Sequence, residues 1–361
     1  MISSFYPGPS KIYPQVAQFM QEALESGILS MNHRSSVFME MCHATIEAFM
    51  QKQSVPKDYR AVFTSSATEC WEIIAQSLMP SHLNSLHIYN GSFGEKWADY
   101  TEKLGSSPQS SVHRVAFDLE KKPDLEATEG FFKHKNSIIC LTHNETSNGT
   151  ILSDSFMEEV RQRFPAQLIA IDATSSLGGL ALDYTLGDIW FASVQKCLGL
   201  PSGMAVMLCS PKAVERVYAL NERKHYNSLP FLLDNFRNFQ TPYTPNILNI
   251  FLLGKVMKMV EPIEKIHLRL QQQAIDLYHL IENHEDFECL VKQPAMRSET
   301  VICVAGKAQK IHFLKQEARK QNIILGNGYG RWKNDTFRIA NFPAISPAEI
   351  AQLSAILRLI S

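Results

Sequence analysis

Two residues that each close an apolar run, an aspartate and a lysine, are of types and in positions that could do chemistry together. Leu168-Ile169-Ala170-Ile171 ends at Asp172, and Ile189-Trp190-Phe191-Ala192-Ser193-Val194-Gln195 leads to Lys196. An amine can condense with an aldehyde. A carboxylate can keep a pyridine nitrogen protonated, so that the ring accepts carbanion electrons. Pyridoxal 5′-phosphate (PLP) makes both demands, so the pair points to a PLP site with Lys196 as the point of attachment and Asp172 as the partner of the ring. Taken singly, an Asp ending a strand is often a helix N-cap and a Lys after an apolar run is often a solvated loop residue. The matching pieces elsewhere in the chain decide between these readings.

Phe63-Thr64-Ser65-Ser66-Ala67-Thr68-Glu69 stands where a strand meets a helix. Backbone N–H groups and hydroxyls at a helix N-terminus wrap an anion, so Ser66, Ala67 and Thr68 are candidates for a phosphate cup. The plainer alternative is a capping box made by Ser66 and Glu69. Asn90-Gly91-Ser92-Phe93-Gly94 sets one aromatic between two glycines, and the expectation is a loop in which Phe93 stacks on a flat cofactor ring. Thr142-His143-Asn144-Glu145-Thr146 follows another strand, at the carboxyl edge where open α/β sheets bind ligands. Thr146 can bond the cofactor's phenolic oxygen, Ser175 joins the cofactor contacts, and Asn144 and Glu145 are expected to organise the loop.

The elements that must position these residues follow from pattern. Apolar runs at 61–64, 86–89, 112–117, 137–142, 168–172, 189–192 and 204–209 alternate with helical segments such as 67–78 and 153–163. Most are continuously apolar, as strands covered on both faces are, which predicts an α/β fold with a mostly parallel central sheet flanked by helices. A helix-rich stretch ends near Val260, and Pro262 opens a long helix running to about Asn283. A strand at 299–304, a helix at 309–321, a strand pair around Ile323 and Phe337, and a last helix at 347–359 complete a small C-terminal α+β domain. Pro7-Gly8-Pro9 makes the first dozen residues an arm rather than a helix. The expected division is an N-terminal arm (1–14) packing with the small domain, a large PLP-binding domain (15–261) and the small domain (262–361).

Composition sets the bounds. A chain of 361 residues that is 45% hydrophobic can bury the cores of two domains. Thirty-five basic residues against 36 acidic ones give no electrostatic footprint for nucleic acid or an anionic membrane. The seven cysteines form no C-x-x-C pair, which fits reduced buried thiols and a cytoplasmic setting better than disulfides or a zinc site, and no metal is expected. No signal peptide or membrane span is evident.

In this order the pieces resemble the class V aminotransferases, PLP enzymes of fold type I, and within that family they are most similar to the phosphoserine aminotransferases. The resemblance runs from Phe5-Tyr6-Pro7-Gly8-Pro9 to Phe337-Arg338-Ile339-Ala340-Asn341. It implies that Lys196 carries the Schiff base, that Asp172 pairs with the pyridinium, and that Gln195 helps to hold the cofactor phosphate. It also implies that Arg338 grips the substrate α-carboxylate. Asn32-His33-Arg34-Ser35-Ser36 resembles a stretch that reaches the substrate's phosphate or distal carboxylate across a dimer interface, which assigns that role to His33 and Arg34. Thr241, in Phe239-Gln240-Thr241-Pro242-Tyr243, resembles a residue lent to the neighbouring subunit's PLP phosphate, so a homodimer with shared active sites is expected.

The implied reaction is a two-stage transamination between amino-acid and 2-oxo-acid substrates, with glutamate and 3-phosphohydroxypyruvate giving 2-oxoglutarate and O-phosphoserine in serine biosynthesis. Two departures bear on the substrate. Ser66-Ala67-Thr68 is closer to the alanine–glyoxylate and serine–pyruvate branch, which is the nearest alternative. Where the family reads the phosphate with a His-Arg pair, Gly328-Tyr329-Gly330-Arg331-Trp332 offers Arg331 alone. A cysteine desulfurase would carry a His before its lysine, where this chain has Gln195, and a non-catalytic PLP-fold protein would have no need of Lys196, Asp172 and Arg338 together.

Overall fold

The seven apolar runs become seven strands of one sheet in the computed structural model, which describes residues 2–79, 84–104, 111–126, 128 and 137–360. Along the chain, β1 (Ser3–Phe5) precedes helices α1 (Val16–Glu25) and α2 (Ser36–Lys52). There follow β2 (Arg60–Thr64), α3 (Ala67–Leu78), β3 (Ser85–Tyr89), α4 (Ser92–Leu104), β4 (Val112–Ala116) and β5 (Ile138–Thr142). The two-residue strands β6 (Asn144–Glu145) and β7 (Thr150–Ile151) form a hairpin just beyond β5. Next come α5 (Asp154–Arg163), β8 (Leu168–Asp172), β9 (Ile189–Ser193), β10 (Ala205–Cys209), α6 (Pro211–Leu220), α7 (Leu229–Phe236) and α8 (Ile247–Met259).

The large sheet has the order β2-β10-β9-β8-β5-β3-β4. All its pairings are parallel except those of β10, which runs against both β2 and β9. Six strands therefore share one direction and place their carboxyl ends along one edge. The core strands β8, β9 and β10 are buried at every position, the consequence of helices on both faces.

Beyond α9 (Ile263–Glu282) the chain forms β11 (Phe287–Cys289), β12 (Val301–Gly306), α10 (Ala308–Lys320), β13 (Ile323–Asn327), β14 (Thr336–Ala340) and α11 (Pro347–Leu359). These strands, with β1 added in parallel to β13, make a second sheet ordered β1-β13-β14-β12-β11. Strand β12 begins two residues later than the pattern suggests. Ser298 Oγ accepts the N–H groups of Thr300 (3.1 Å) and Val301 (2.9 Å), a side-chain turn that delays pairing.

Two apolar clusters fill the molecule, one under the large sheet and one under the small, and α9 contributes Ile263, Ile266 and Leu270 to the first and Ala274, Leu277 and Ile281 to the second. One continuous helix thus serves both cores. All seven cysteines are buried and free, and among the described residues no helix is long and apolar enough to cross a membrane.

Candidate active site

Asp172 is the last residue of β8, and Lys196 stands three residues beyond β9, the strand paired with β8 in parallel. Adjacent parallel strands bring both side chains to the carboxyl edge of the sheet, and both are buried, at 5% and 7% exposure. Ala67, Thr68, Trp71, Phe93, Thr142, Asn144, Thr146, Thr174 and Gln195 line the same pocket.

Two donors fix Asp172: the N–H of Thr174 bonds Oδ1 (2.9 Å), and the indole N–H of Trp71 bonds Oδ2 (3.1 Å). Burial raises the pKa of this carboxyl, and the Thr174 and Trp71 bonds and the charge of Lys196 oppose that rise. Trp71 lies on α3 and stacks on Trp97 of α4 at 6.2 Å, so the donor is itself held by packing. No local motif announced it, because the contact joins residues 101 apart in sequence.

Lys196 Nζ donates to Thr146 Oγ1 (2.6 Å) and Ser175 Oγ (3.0 Å), and these two hydroxyls bond each other at 2.6 Å. Burial lowers the pKa of the ammonium to about 8, although the Asp172 and Glu145 carboxylates pull the other way. About half the amine is therefore neutral at that pH, where an ordinary lysine is almost wholly charged. The N-terminal segment closes over this residue: a side chain at Gly8 would stand 3.3 Å from Lys196 Cε, and Ser10 Oγ bonds the Gln195 carbonyl at 2.9 Å.

Phe93 lies in the first turn of α4, not in a loop as its flanking glycines suggested. The reason is a distant cap: Glu145 Oε2 accepts the N–H groups of Phe93 and Gly94, both at 3.2 Å, while its Oε1 accepts the Ser147 N–H at 2.9 Å. A buried carboxylate from the β6–β7 hairpin thus starts the helix and orients Phe93, whose ring lies 5.1 Å from Lys196 Nζ.

The first turn of α3, where a phosphate cup was expected, puts Ala67 and Thr68 on the pocket wall. Ser66 caps the helix through the Glu69 N–H (3.1 Å), and the Ala67 N–H bonds Ser193 Oγ (2.8 Å). Glu69 does not complete a capping box with Ser66. Its carboxylate takes the Ser65 N–H (2.6 Å), the Tyr226 hydroxyl (2.9 Å) and the Asn227 amide (3.1 Å), tying the cup to the segment after α6.

Arg338, on β14, is 4% exposed and reaches the same place from the small sheet. Its Nε donates to the Asn327 carbonyl (2.7 Å) and its Nη1 to the Thr146 carbonyl (2.8 Å). Burial lowers its pKa. The other predicted residues stand apart from the pocket lining. Arg34 is exposed and donates to Gln240 Oε1 (3.0 Å), which places it beside Thr241, and Thr241 donates to the Tyr243 carbonyl. His33 is half-buried, with Nε2 lacking a partner. The guanidinium of Arg331 is exposed and lies 4.3 Å from the ring centroid of Trp332.

Asn144 Oδ1 and Thr174 Oγ1 are buried without hydrogen-bond partners, and both residues line the pocket. Orphaned groups of this kind need a partner. Together with an amine, a carboxylate, a flat ring and a helix N-terminus, they fit PLP. Lys196 and Asp172 would take its aldehyde and ring nitrogen, Ala67 and Thr68 its phosphate, and Thr146 and Ser175 its phenolic oxygen.

Comparison with known proteins agrees with this chemistry. The profile of the Aminotransferase class-V family matches residues 2–330. The phosphoserine aminotransferase of Rhodococcus opacus (strain B4) is 27% identical over 362 aligned residues, covering 96% of this chain and 92% of that protein. The crystal structure of a phosphoserine aminotransferase from Cytophaga hutchinsonii superposes with a TM-score of 0.90 at 33% identity, covering 99% of this chain and 98% of that one. An alanine–glyoxylate aminotransferase from Nostoc sp. shares the fold at a TM-score of 0.81 and 20% identity, covering 99% and 95% of the two chains. The chain belongs to the class-V aminotransferases, PLP-dependent enzymes of fold type I.

Proposed function

We propose that this enzyme is a phosphoserine aminotransferase, acting in the cytoplasm in serine biosynthesis and exchanging the amino group between glutamate and 3-phosphohydroxypyruvate. The observation that carries the reading is the convergence of Arg338 and Lys196 on Thr146, one bonding its carbonyl and the other its hydroxyl. With Nε and Nη1 anchored, Arg338 keeps Nη2 for the α-carboxylate that every amino-acid substrate carries. The similarity to phosphoserine aminotransferases over the whole chain supports the choice of substrate.

Bound PLP supplies an electron sink for the carbanion formed at the substrate α-carbon. Arg338 binds and orients the carboxylate. Lys196 would move the proton taken from the substrate α-carbon, and burial, which brings its pKa down to about 8, suits it to accept and return that proton near neutral pH. Asp172 would hold a proton on the ring nitrogen, and Phe93, which lines the same pocket, would pack against the ring.

Single-turnover spectra of the purified enzyme test the substrate. Phosphoserine and glutamate are expected to convert the bound cofactor to its amine form with kcat/KM at least about tenfold above alanine, because a charge-assisted contact to a distal anion is worth roughly 1.5–3 kcal/mol. Preference for alanine, with glyoxylate as acceptor, would instead place the enzyme with the alanine–glyoxylate branch.

The reading includes a homodimer with shared sites, built from an arm at 1–14, a large domain at 15–261 and a small domain at 262–361. The Arg34–Gln240 contact supports it by setting Arg34 beside Thr241 away from the pocket of their own chain. Mixing inactive Lys196→Ala protein with an Arg34→Ala, Thr241→Ala double variant should restore activity, since a mixed dimer holds one intact site. Proven subunit exchange without recovery would contradict sharing.

A further inference from the structure

A cation beside the pocket-lining Phe93 is left unused by the site described so far. Lys96 lies one turn along α4 from Phe93, on the same helix face, and is exposed. Its ammonium donates to the hydroxyl of Tyr329 at 2.6 Å and lies 5.0 Å from the centroid of the Tyr329 ring and 5.5 Å from that of Phe93. Among the described residues no carboxylate pairs with it, so a neutral hydroxyl and two ring faces hold the charge without cancelling it.

The same two rings touch the reactive groups. Tyr329 stacks on Phe93 with centroids 5.2 Å apart, Lys196 Nζ lies 5.1 Å from the Phe93 centroid, and the Arg338 guanidinium lies 5.3 Å from that of Tyr329. Lys96 is therefore one aromatic ring from the residue that carries out the proton transfer and one ring from the residue that binds the α-carboxylate. Gly330 makes the arrangement possible. It adopts φ 56°, and a side chain there would stand 2.4 Å from Ser92 Oγ, so only glycine lets this loop close against the start of α4.

We propose that Lys96 is a specificity-determining residue, its ammonium and the Tyr329 hydroxyl forming the part of the subsite, contributed by the same chain, that takes the substrate's distal phosphate. Since Lys96 donates to the Tyr329 oxygen, the tyrosine O–H remains to donate to a phosphate oxygen, and the pair presents a charge and a directed donor together. Arg331, the cation that the sequence suggested for this role, is exposed and lies 4.3 Å from the ring centroid of Trp332. The inference rests on the transaminase reading with a distally anionic substrate.

Lys96→Met keeps the alkyl stem and removes the charge, and Lys96→Arg keeps the charge. Calorimetry on the PLP-loaded enzyme with 3-phosphoglycerate, which has no amine to transfer, and with glycerate, which lacks the phosphate, separates binding from turnover. In Lys96→Met the dissociation constant of 3-phosphoglycerate should rise about ten- to a hundredfold, and the ratio of kcat/KM for phosphoserine over alanine should fall by the same factor, carried by KM. Lys96→Arg should recover most of both. Unchanged 3-phosphoglycerate binding in Lys96→Met, or equal losses for phosphoserine and alanine, would overturn the role of Lys96 while leaving the phosphoserine reading standing. Wild-type enzyme that binds 3-phosphoglycerate no more tightly than glycerate, and that prefers alanine, would overturn both.

Discussion

Replacing Asp172 by Asn should lower turnover by about 10³-fold while PLP stays bound, because the substitution removes the charge that holds a proton on the ring nitrogen and leaves the phosphate cup intact. The geometry adds a second cost. Asp172 accepts from Thr174 through one oxygen and from Trp71 through the other, and an amide has only one oxygen. Its NH₂ must face one of two buried donors, which leaves that donor unpaired at about 1–3 kcal/mol. The variant should therefore be measurably less stable in denaturant as well as slow. Cofactor content read from absorbance after gel filtration, beside the single-turnover rate, separates the effects: near-normal turnover with full PLP content would refute the role of Asp172, and loss of PLP would show that the carboxylate is an anchor instead.

Much of the large sheet was legible because its strands are covered on both faces. Continuous apolar runs such as Leu168-Ile169-Ala170-Ile171 have few other uses, and the chemistry-bearing residues follow them at the carboxyl ends. The same logic found Asp172 and Lys196 without any contact information. What stayed hidden was set by contacts between distant residues. Nothing near Phe93 predicts a helix start, since its cap is a carboxylate 52 residues away, and nothing near Trp71 marks it as the second donor to Asp172. Tyr329 sits in a glycine-containing stretch with no local sign that its ring stacks on Phe93. The three residues of β1 are too few to show a pattern, and their strand exists only because β13 offers an edge. Arg34 and Thr241 were expected at the active site by resemblance; in the single chain Arg34 bonds Gln240, the neighbour of Thr241, and neither residue lines the pocket of Asp172 and Lys196.

Lys196 is the amine expected to bind PLP covalently. Its side chain is buried, bonded to the Thr146 and Ser175 hydroxyls, and poised with a pKa of about 8. A lowered pKa means that the neutral, nucleophilic form grows in as pH passes about 8 and not about 10.5, so covalent uptake of PLP by the cofactor-free protein should accelerate up to roughly that pH and level off above it. The decisive measurement is borohydride reduction of the PLP-loaded protein followed by peptide mass mapping. A single pyridoxyl group on the peptide containing Lys196, absent from Lys196→Ala, is the predicted result, and a pyridoxyl group on any other lysine of the wild-type chain would rule out Lys196 as the point of attachment.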